Sequence, residues 1–137
     1  MASVHSHFEL DREAQTRRLL TAIQDPSVRM LGHLTARMIG GRPPIELDLS
    51  RIFQAARANN VAVEVNGALP RLDPSTGILR EALNHDVKFL LTSDAHSVDE
   101  LGLIDFAARH AFKARLPLES VVNAWPGDRL AAFVSQA

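Results

Sequence analysis

The stretch FLLTSDAHSVDEL, residues 89–101, decides how the rest of the chain is interpreted. It begins as an apolar run and stops abruptly at Asp94 and His96. A short apolar run of this kind is typical of a strand that is buried in a parallel sheet. We predict that the strand spans 87–92, so the carboxylate and the imidazole that follow it lie at its carboxyl end.

Strand and helix patterns alternate along the whole chain. The sequence predicts strands at 3–8, 28–31, 61–65 and 87–92, and helices at 12–24, 51–58, 78–84, 98–112, 118–123 and 128–134. Asp11 is predicted to cap the first helix, and Asp48 or Ser50 the second. Strands that recur roughly every 30 residues with helices between them predict βαβ units. We therefore expect one α/β domain over residues 1–137, with a parallel sheet and outer helices.

Composition and charge exclude several classes of protein. The 137 residues include 15 basic and 16 acidic side chains, for a net charge of −1, so no basic stripe for an extended nucleic-acid contact is expected. The chain has no cysteine, which excludes disulfides and thiolate metal sites and fits the cytoplasm, where we expect the protein. No apolar stretch of about 18 residues occurs, so no membrane contact is expected.

Polar side chains follow each predicted strand. In parallel α/β sheets, chemistry is concentrated at the carboxyl ends of the strands. The residues at or near those ends are His5, His7, His33, Glu64, Asn66, Asp94 and His96. We expect only one of His5 and His7 to be a ligand; His5, His33, Asp94 and His96 then give three imidazoles and one carboxylate, a set that would suit Zn²⁺, Mn²⁺ or Fe²⁺.

Simpler interpretations stay open for each residue taken singly. A histidine at a strand end is more often a hydrogen-bonded structural residue than a ligand, and Asp94 could cap the next helix. We interpret His85 and His110 as surface residues. Trp125, which precedes a proline, is interpreted as a core anchor.

Five blocks of the sequence together resemble a known family. They are SVHSHF (3–8), LGHLTARMIGGRPPIELDL (31–49), VAVEVNGALPRLD (61–73), FLLTSDAHSVDEL (89–101) and VVNAWP (121–126). In order and spacing these blocks resemble the PHP (polymerase and histidinol phosphatase) superfamily, and most closely the PHP domain of bacterial family X DNA polymerases and its stand-alone relatives. The resemblance covers nearly the whole chain.

The resemblance implies a fold and a metal site. The family fold is a distorted (β/α)₇ barrel that holds up to three metal ions at the carboxyl ends of its strands. Residue by residue, the matching ligands are His5, His33, Asp94 and His96, with His5 preferred to His7. The implied cofactors are divalent ions, Zn, Mn or Fe.

The resemblance also implies a reaction. Arg37 and Arg71 match arginines that we assign to the phosphate of the substrate, since a guanidinium suits that group. Glu64 and Asn66 match the family's Glu-x-Asn strand end and join the candidate catalytic residues. The implied function is a metal-dependent phosphoesterase, such as a 3′-5′ exonuclease or a phosphatase, acting on a nucleic-acid end or a small molecule.

The chain departs from the family pattern in three places. Leu34 stands where the family usually has proline, and Ala68-Leu69 where it usually has Asn-Pro. The family's opening His-x-His block and the Asp, His and Glu after it have no match. We therefore expect about four βα units, the C-terminal portion of a barrel, with fewer than three metal ions. The implied partner is a second copy of the chain or a separate N-terminal half. The alternative is an inactive remnant that serves as a structural, interaction or metal-binding module.

Overall fold

Four short strands lie side by side in one sheet, in the order β1-β2-β3-β4, and every neighbouring pair is parallel. The structure is a computed structural model and describes residues 1–135. Its strands are β1 (Ala2–Ser3), β2 (Met30–Gly32), β3 (Ala62–Asn66) and β4 (Phe89–Thr92). Its α-helices are α1 (Arg12–Gln24), α2 (Leu49–Ala58), α3 (Thr76–Asn84), α4 (Ile104–Ala114) and α5 (Gly127–Ser135).

The core lies between the sheet and the helices that connect its strands. Leu31, Val63 and Phe89 are aligned across β2, β3 and β4 and are fully buried. Phe53 of α2 and Leu79 of α3 are fully buried in the same apolar cluster. Burial of such side chains stabilises the fold by ~1.5–3 kcal/mol each. Because helices cover the sheet, its strands can be nearly continuous apolar runs, as is typical of parallel sheets.

Two helix starts follow the predicted capping chemistry. The carboxylate of Asp11 accepts a hydrogen bond from the backbone N–H of Ala14 at 2.8 Å, at the start of α1. Asp48 accepts one from the N–H of Arg51 at 3.2 Å, so Asp48 rather than Ser50 caps α2. Each carboxylate satisfies a donor that would otherwise lack a partner in the first turn.

Three predicted elements were wrong in extent or type. β1 covers only Ala2–Ser3 rather than 3–8. The predicted helix at 98–112 begins as a 3₁₀-helix, Val98–Leu103, which contains Gly102, a poor α-helix former, and only then continues as α4. The predicted helix at 118–123 is two short 3₁₀ turns, Leu118–Ser120 and Val122–Ala124. Val121 between them is extended and bridges to Phe89.

Three side-chain placements also differ from the prediction. His110 is half-buried rather than on the surface, and its Nε2 lies 2.8 Å from the carbonyl oxygen of Pro74. Trp125 lies outside the core: it is half-buried, packs edge-to-face on Phe133 and lies under the guanidinium of Arg129. His85 is half-buried at the C-terminal end of α3.

The mixed α/β class and the parallel sheet of four strands are confirmed. Closure into a PHP barrel and the assignment of residues 1–137 to one domain stay predictions. Within residues 1–135, no helix has both the length and the apolar character needed to cross a bilayer.

Candidate functional site

Two residues at the strand ends adopt an unusual backbone conformation. His33 directly follows β2 with φ 27°, and Asp94 lies two residues after β4 with φ 53°. Both angles fall in the left-handed region, which residues other than glycine seldom occupy. Such conformations cluster at functional sites, where the surrounding structure holds them in place. Both residues lie at the carboxyl edge of the sheet, where the sequence predicts the metal site.

Glu64 connects the ends of three strands. Its buried carboxylate accepts hydrogen bonds from the backbone N–H of His33, from Thr92 Oγ1 at 2.6 Å and from Asn66 Nδ2 at 3.2 Å. These donors belong to the ends of β2, β3 and β4. A buried carboxylate is tolerated only when its oxygens are paired in this way. Glu64 therefore fixes the relative positions of the strand ends.

Asn66 is occupied by local contacts as well. Its Oδ1 accepts a hydrogen bond from the N–H of Ala68 at 2.9 Å, and its own N–H donates to the carbonyl of Asp73 at 2.9 Å. The residue is completely buried. Asn66 thus shapes the loop after β3 and joins its two ends.

His5 and His33 form a pair of imidazoles. The ring centroids are 4.9 Å apart with an interplanar angle of 86°. His5 is exposed, whereas His33 is only 4% exposed, and Nδ1 of His33 has no hydrogen-bond partner among residues 1–135. His7, the other candidate on this segment, instead lies 3.4 Å from Glu9. His5 rather than His7 thus lies beside His33, and its role as a metal ligand stays a prediction.

The surroundings of His33 favour its neutral form. Burial lowers the pKa of His33, and the positive charge of Arg71 lowers it further. The negative charges of Glu64 and Asp94 raise the pKa of His33 and so oppose these effects, whereas His5 lowers it. A neutral imidazole with a free, buried nitrogen is the form that binds a metal ion.

Arg71 and Asp94 form an ion pair next to the histidines. Arg71 Nε lies 3.1 Å from Asp94 Oδ2, and the two side chains are 20% and 21% exposed. Nη1 of Arg71 is buried and has no hydrogen-bond partner among residues 1–135. One donor of the guanidinium therefore remains available beside the histidine pair.

His96 is turned toward its own segment. Its Nδ1 lies 2.7 Å from the carbonyl oxygen of Asp94, and its backbone N–H donates to Glu100 at 2.7 Å. The side chain is exposed. A recess of about 210 Å³ lies at this point, lined by Met38, Ala68, Pro70, Arg71, Asp94, His96, Glu100 and Leu103.

Arg37 holds the loop that carries Arg71. Its Nε donates to the carbonyl of Arg71 at 2.9 Å, and its Nη2 donates to the carbonyl of Leu72. These two donors are engaged within the protein, and the predicted contact of Arg37 with a phosphate stays a prediction.

The four predicted metal ligands are only partly brought together. Among residues 1–135, no group of three or more His, Asp or Glu side chains is arranged to hold one ion. The histidine pair and the unpartnered Nδ1 of His33 fit two ligands of a divalent ion. The remaining candidates, Asp94 and His96, are engaged with Arg71 and with the backbone.

Sequence reasoning missed Thr92, Thr35 and Asp73 as residues of this region. Thr92 is the last residue of β4 and bonds to Glu64, and Thr35 bonds to Asp73 across two loops. Asp73 belongs to the Arg-Leu-Asp sequence that carried part of the family resemblance, so that sequence already contained a signal. The two threonines also lie within the matching blocks 31–49 and 89–101, but the resemblance assigns no role to either of them.

The chain is similar in sequence to several known proteins. The chain is 31% identical over 136 residues to the DNA polymerase/3′-5′ exonuclease PolX of Bacillus subtilis, an alignment that covers 99% of the chain and 24% of that protein. It is 30% identical over 105 residues to a probable phosphatase of Vibrio vulnificus, covering 72% of the chain and 40% of the relative. It is 29% identical over 134 residues to a probable phosphatase of Caldanaerobacter subterraneus, covering 90% and 50%.

The chain thus spans between about a quarter and a half of the length of these relatives. No protein-family model matches the chain. The similarity to a PolX protein agrees with the resemblance inferred from the sequence blocks. Membership of the PHP superfamily stays a prediction.

Proposed function

We propose that this chain contributes a metal-dependent phosphoesterase site of the PHP type. The observation that supports it most is the meeting of the His5–His33 pair with the Arg71–Asp94 ion pair at the carboxyl edge of a parallel sheet. The relatives named phosphatase and 3′-5′ exonuclease support a phosphoesterase-like function at the level of the family.

The histidine pair would hold the metal. His33 offers a buried nitrogen without a partner, and His5 lies beside it. A divalent ion supplies Lewis-acid chemistry in such a site, since it acidifies water and offsets phosphate charge. Asp94 would contribute its other carboxylate oxygen while it stays paired with Arg71, and His96 would contribute a ligand atom after leaving its present contact, in line with their predicted role.

Arg71 would bind the phosphate of the substrate. Its buried Nη1 has no partner among residues 1–135, and Asp94 orients the guanidinium through Nε. A phosphate oxygen in the recess beside Arg71 would accept a charge-assisted hydrogen bond from Nη1. Arg37, Glu64 and Asn66 would support the site by holding the loops and strand ends in place.

The charge of the chain bears on the substrate class. A grip on an extended nucleic-acid backbone needs several Lys or Arg contacts. With a net charge of −1 and an unpartnered donor of Arg71 at the site, a phosphoester at a nucleic-acid end or on a small molecule fits better than a long strand.

Further ligands would come from outside the part of the chain that the structure describes. Since no group of three ligand side chains is arranged there to hold one ion, we propose that a second copy of the chain or another polypeptide completes the site. The substrates and partners of the whole assembly rest on this proposal.

The same observation favours a second candidate function. With Asp94 paired to Arg71 and no three-ligand group among residues 1–135, the chain could serve as an inactive PHP remnant, a structural or metal-binding module. The two candidates differ in whether phosphoester bonds are broken.

An assay of hydrolysis separates the candidates. The purified chain would be incubated with Mn²⁺, Zn²⁺ or Fe²⁺ and with p-nitrophenyl phosphate or a 3′-labelled oligonucleotide. We expect turnover that requires the ion and falls about 100-fold in Asp94→Asn, which removes a charged ligand of the ion, and in Arg71→Gln, which removes the cation that would bind the phosphate.

The matched control is Asp99→Asn, an exposed carboxylate outside the recess, which should leave the rate unchanged. Absence of turnover with every ion and substrate, in a chain that still binds the ion, would decide for the module over a site that copies of this chain complete by themselves. Turnover that does not change in Asp94→Asn and Arg71→Gln would overturn the assignment of the site.

A further inference from the structure

Asp73 is a buried carboxylate that the proposed chemistry does not use. Its side chain has no exposed surface. It accepts hydrogen bonds from the N–H of Thr35 at 2.8 Å, from the hydroxyl of Thr35 and from the N–H of Ala36 at 3.2 Å. All of these donors belong to the loop after β2, whereas Asp73 lies in the loop after β3. One carboxylate thus joins the two loops.

The environment of Asp73 is costly for a charge. Burial raises the pKa of Asp73, and the hydrogen bonds from Thr35 are the largest of the opposing effects. An apolar side chain in the same space would avoid this cost, but it would leave the N–H groups of Thr35 and Ala36 without their acceptor. Asp73 therefore determines how the loop after β2 is held.

A second set of contacts connects the same two loops. The guanidinium of Arg37 donates to the carbonyls of Arg71 and Leu72, so here too the loop after β2 supplies the donors and the loop after β3 the acceptors. The carbonyl of Asp73 accepts from the N–H of Asn66, which fixes the loop to the end of β3. The two loops are therefore joined at two places, by the carboxylate of Asp73 and by the guanidinium of Arg37.

These contacts lie next to the two most important residues of the site. His33 precedes Thr35 by two residues, and Arg71 precedes Asp73 by two residues. A shift of either loop would change the distance between the imidazole that would bind the ion and the guanidinium that would bind the phosphate. Displacements of about 1 Å in such constellations can lower rates by ~100-fold.

We propose that Asp73 is a positioning residue which, through Thr35, sets the separation of His33 and Arg71. This inference rests on the proposed phosphoesterase function for its catalytic consequence. Its structural part, that the Thr35–Asp73 contact determines the placement of Arg71, can be tested without turnover.

The test compares two substitutions of similar size at Thr35. Thr35→Val removes the hydroxyl and keeps the shape, while Thr35→Ser keeps the hydroxyl. Asp73→Asn is a third variant; it replaces an acceptor by a donor that faces the N–H groups of the loop. We expect kcat to fall about 10-fold in Thr35→Val and about 100-fold in Asp73→Asn, with Thr35→Ser close to wild type.

A merely structural role predicts a different result. Phe53→Leu, a core change away from the site, reports how activity responds to lost stability alone. If Thr35→Val loses no more activity than Phe53→Leu at the same distance from its unfolding midpoint, Asp73 does not position the site. NMR of the Arg71 Nε–Hε group provides the second readout, because that group pairs with Asp94.

The two readouts keep the failures apart. We expect the Arg71 Nε–Hε resonance to shift in Thr35→Val and to return to the wild-type position in Thr35→Ser. If these shifts are seen but the wild-type chain hydrolyses none of the substrates, the proposed function is overturned and the positioning role stands. An unshifted resonance in Thr35→Val, whether or not the chain is active, would overturn the positioning role.

Discussion

The candidate site has two parts that differ in how the chain holds them. The inner group consists of His33, Glu64, Asn66, Asp73 and Thr92, and the outer group of His5, Asp94 and His96. Four members of the inner group are at most 4% exposed, and every member takes part in hydrogen bonds between strand ends and loops. The fold itself thus fixes the inner group.

The outer group is more exposed and less tightly bonded. His5 and His96 are exposed, and His96 bonds only within its own segment. Asp94 has one ion-pair partner, Arg71, at a partly exposed position. The difference indicates that the fold of this chain holds the inner group in place, while the residues of the outer group can still rearrange when an ion or a phosphate binds.

Removal of Glu64 should break the inner group and have the largest effect. In Glu64→Ala, the buried donors of His33 and Asn66 lose their acceptor, and each such loss costs ~1–3 kcal/mol. We expect the free energy of unfolding in urea to fall by about 2–4 kcal/mol. Glu100→Ala, which removes a single bond to the exposed His96, is the matched control and should cost below about 1 kcal/mol. Equal losses in the two variants would erase the distinction between the groups.

Gly67 gives a second, smaller way to disturb the inner group. A Cβ at this position would lie 2.2 Å from the carbonyl oxygen of Leu103 and 2.9 Å from the N–H nitrogen of Ala107. Both atoms are backbone, so Gly67→Ala should destabilise the protein by about 1–3 kcal/mol in thermal or urea unfolding.

Gly77→Ala is the control for this change. A Cβ there meets only Ser75 Oγ at 3.9 Å, and the position lies in α3, where alanine is favoured over glycine. We expect no loss of stability, or a small gain. A Gly67→Ala protein as stable as Gly77→Ala would show that the loop after β3 is not closely packed on the 98–114 segment.

The pH dependence of stability should show the smallest effect, at His110. Burial is the main cause that lowers the pKa of His110 below its ordinary value of 6.5, and the hydrogen bond to Pro74 opposes it. The unfolded chain therefore binds this proton more tightly than the folded protein. The stability contributed by neutral His110 is present above about pH 6.5 and is lost as the pH falls through the lower, folded pKa.

His110→Gln should accordingly reduce the loss of stability between about pH 8 and pH 5.5. The charges of Arg37 and Lys113 act on the His110 pKa in the same direction as burial. Asp73 acts in the opposite sense, since its pKa is raised, and the measurement stays above the acid range for that reason. The exposed His7→Gln is the control; a variant of His110 with an unchanged pH profile would contradict the prediction.

The sequence predicts the inner framework better than the outer contacts. The apolar strands, the caps Asp11 and Asp48, and the position of His33 after β2 follow from local patterns, which act over a few residues. Parallel strands then bring their ends to one edge, so the neighbourhood of the site was predictable.

The remaining features depend on contacts between distant residues. The contact of Thr35 with Asp73 spans 38 positions, and that of Arg37 with Arg71 spans 34, so no local pattern reveals them. His110 was predicted at the surface because its neighbours are polar. Its burial comes from the loop around Pro74, which packs against α4. The short 3₁₀ turns near Val121 likewise result from its bridge to β4.

The central claim is that His5 and His33, which are distant along the chain, meet beside the inner group and bind one ion. A titration of the ¹³C,¹⁵N-labelled chain with Zn²⁺, followed through the histidine ring resonances, tests it most directly. We predict that His5 and His33 shift together and saturate with the first equivalent of the ion, while His7, His85 and His110 stay unchanged. Independent shifts of His5 and His33, or a response of His7 in place of His5, would contradict the account.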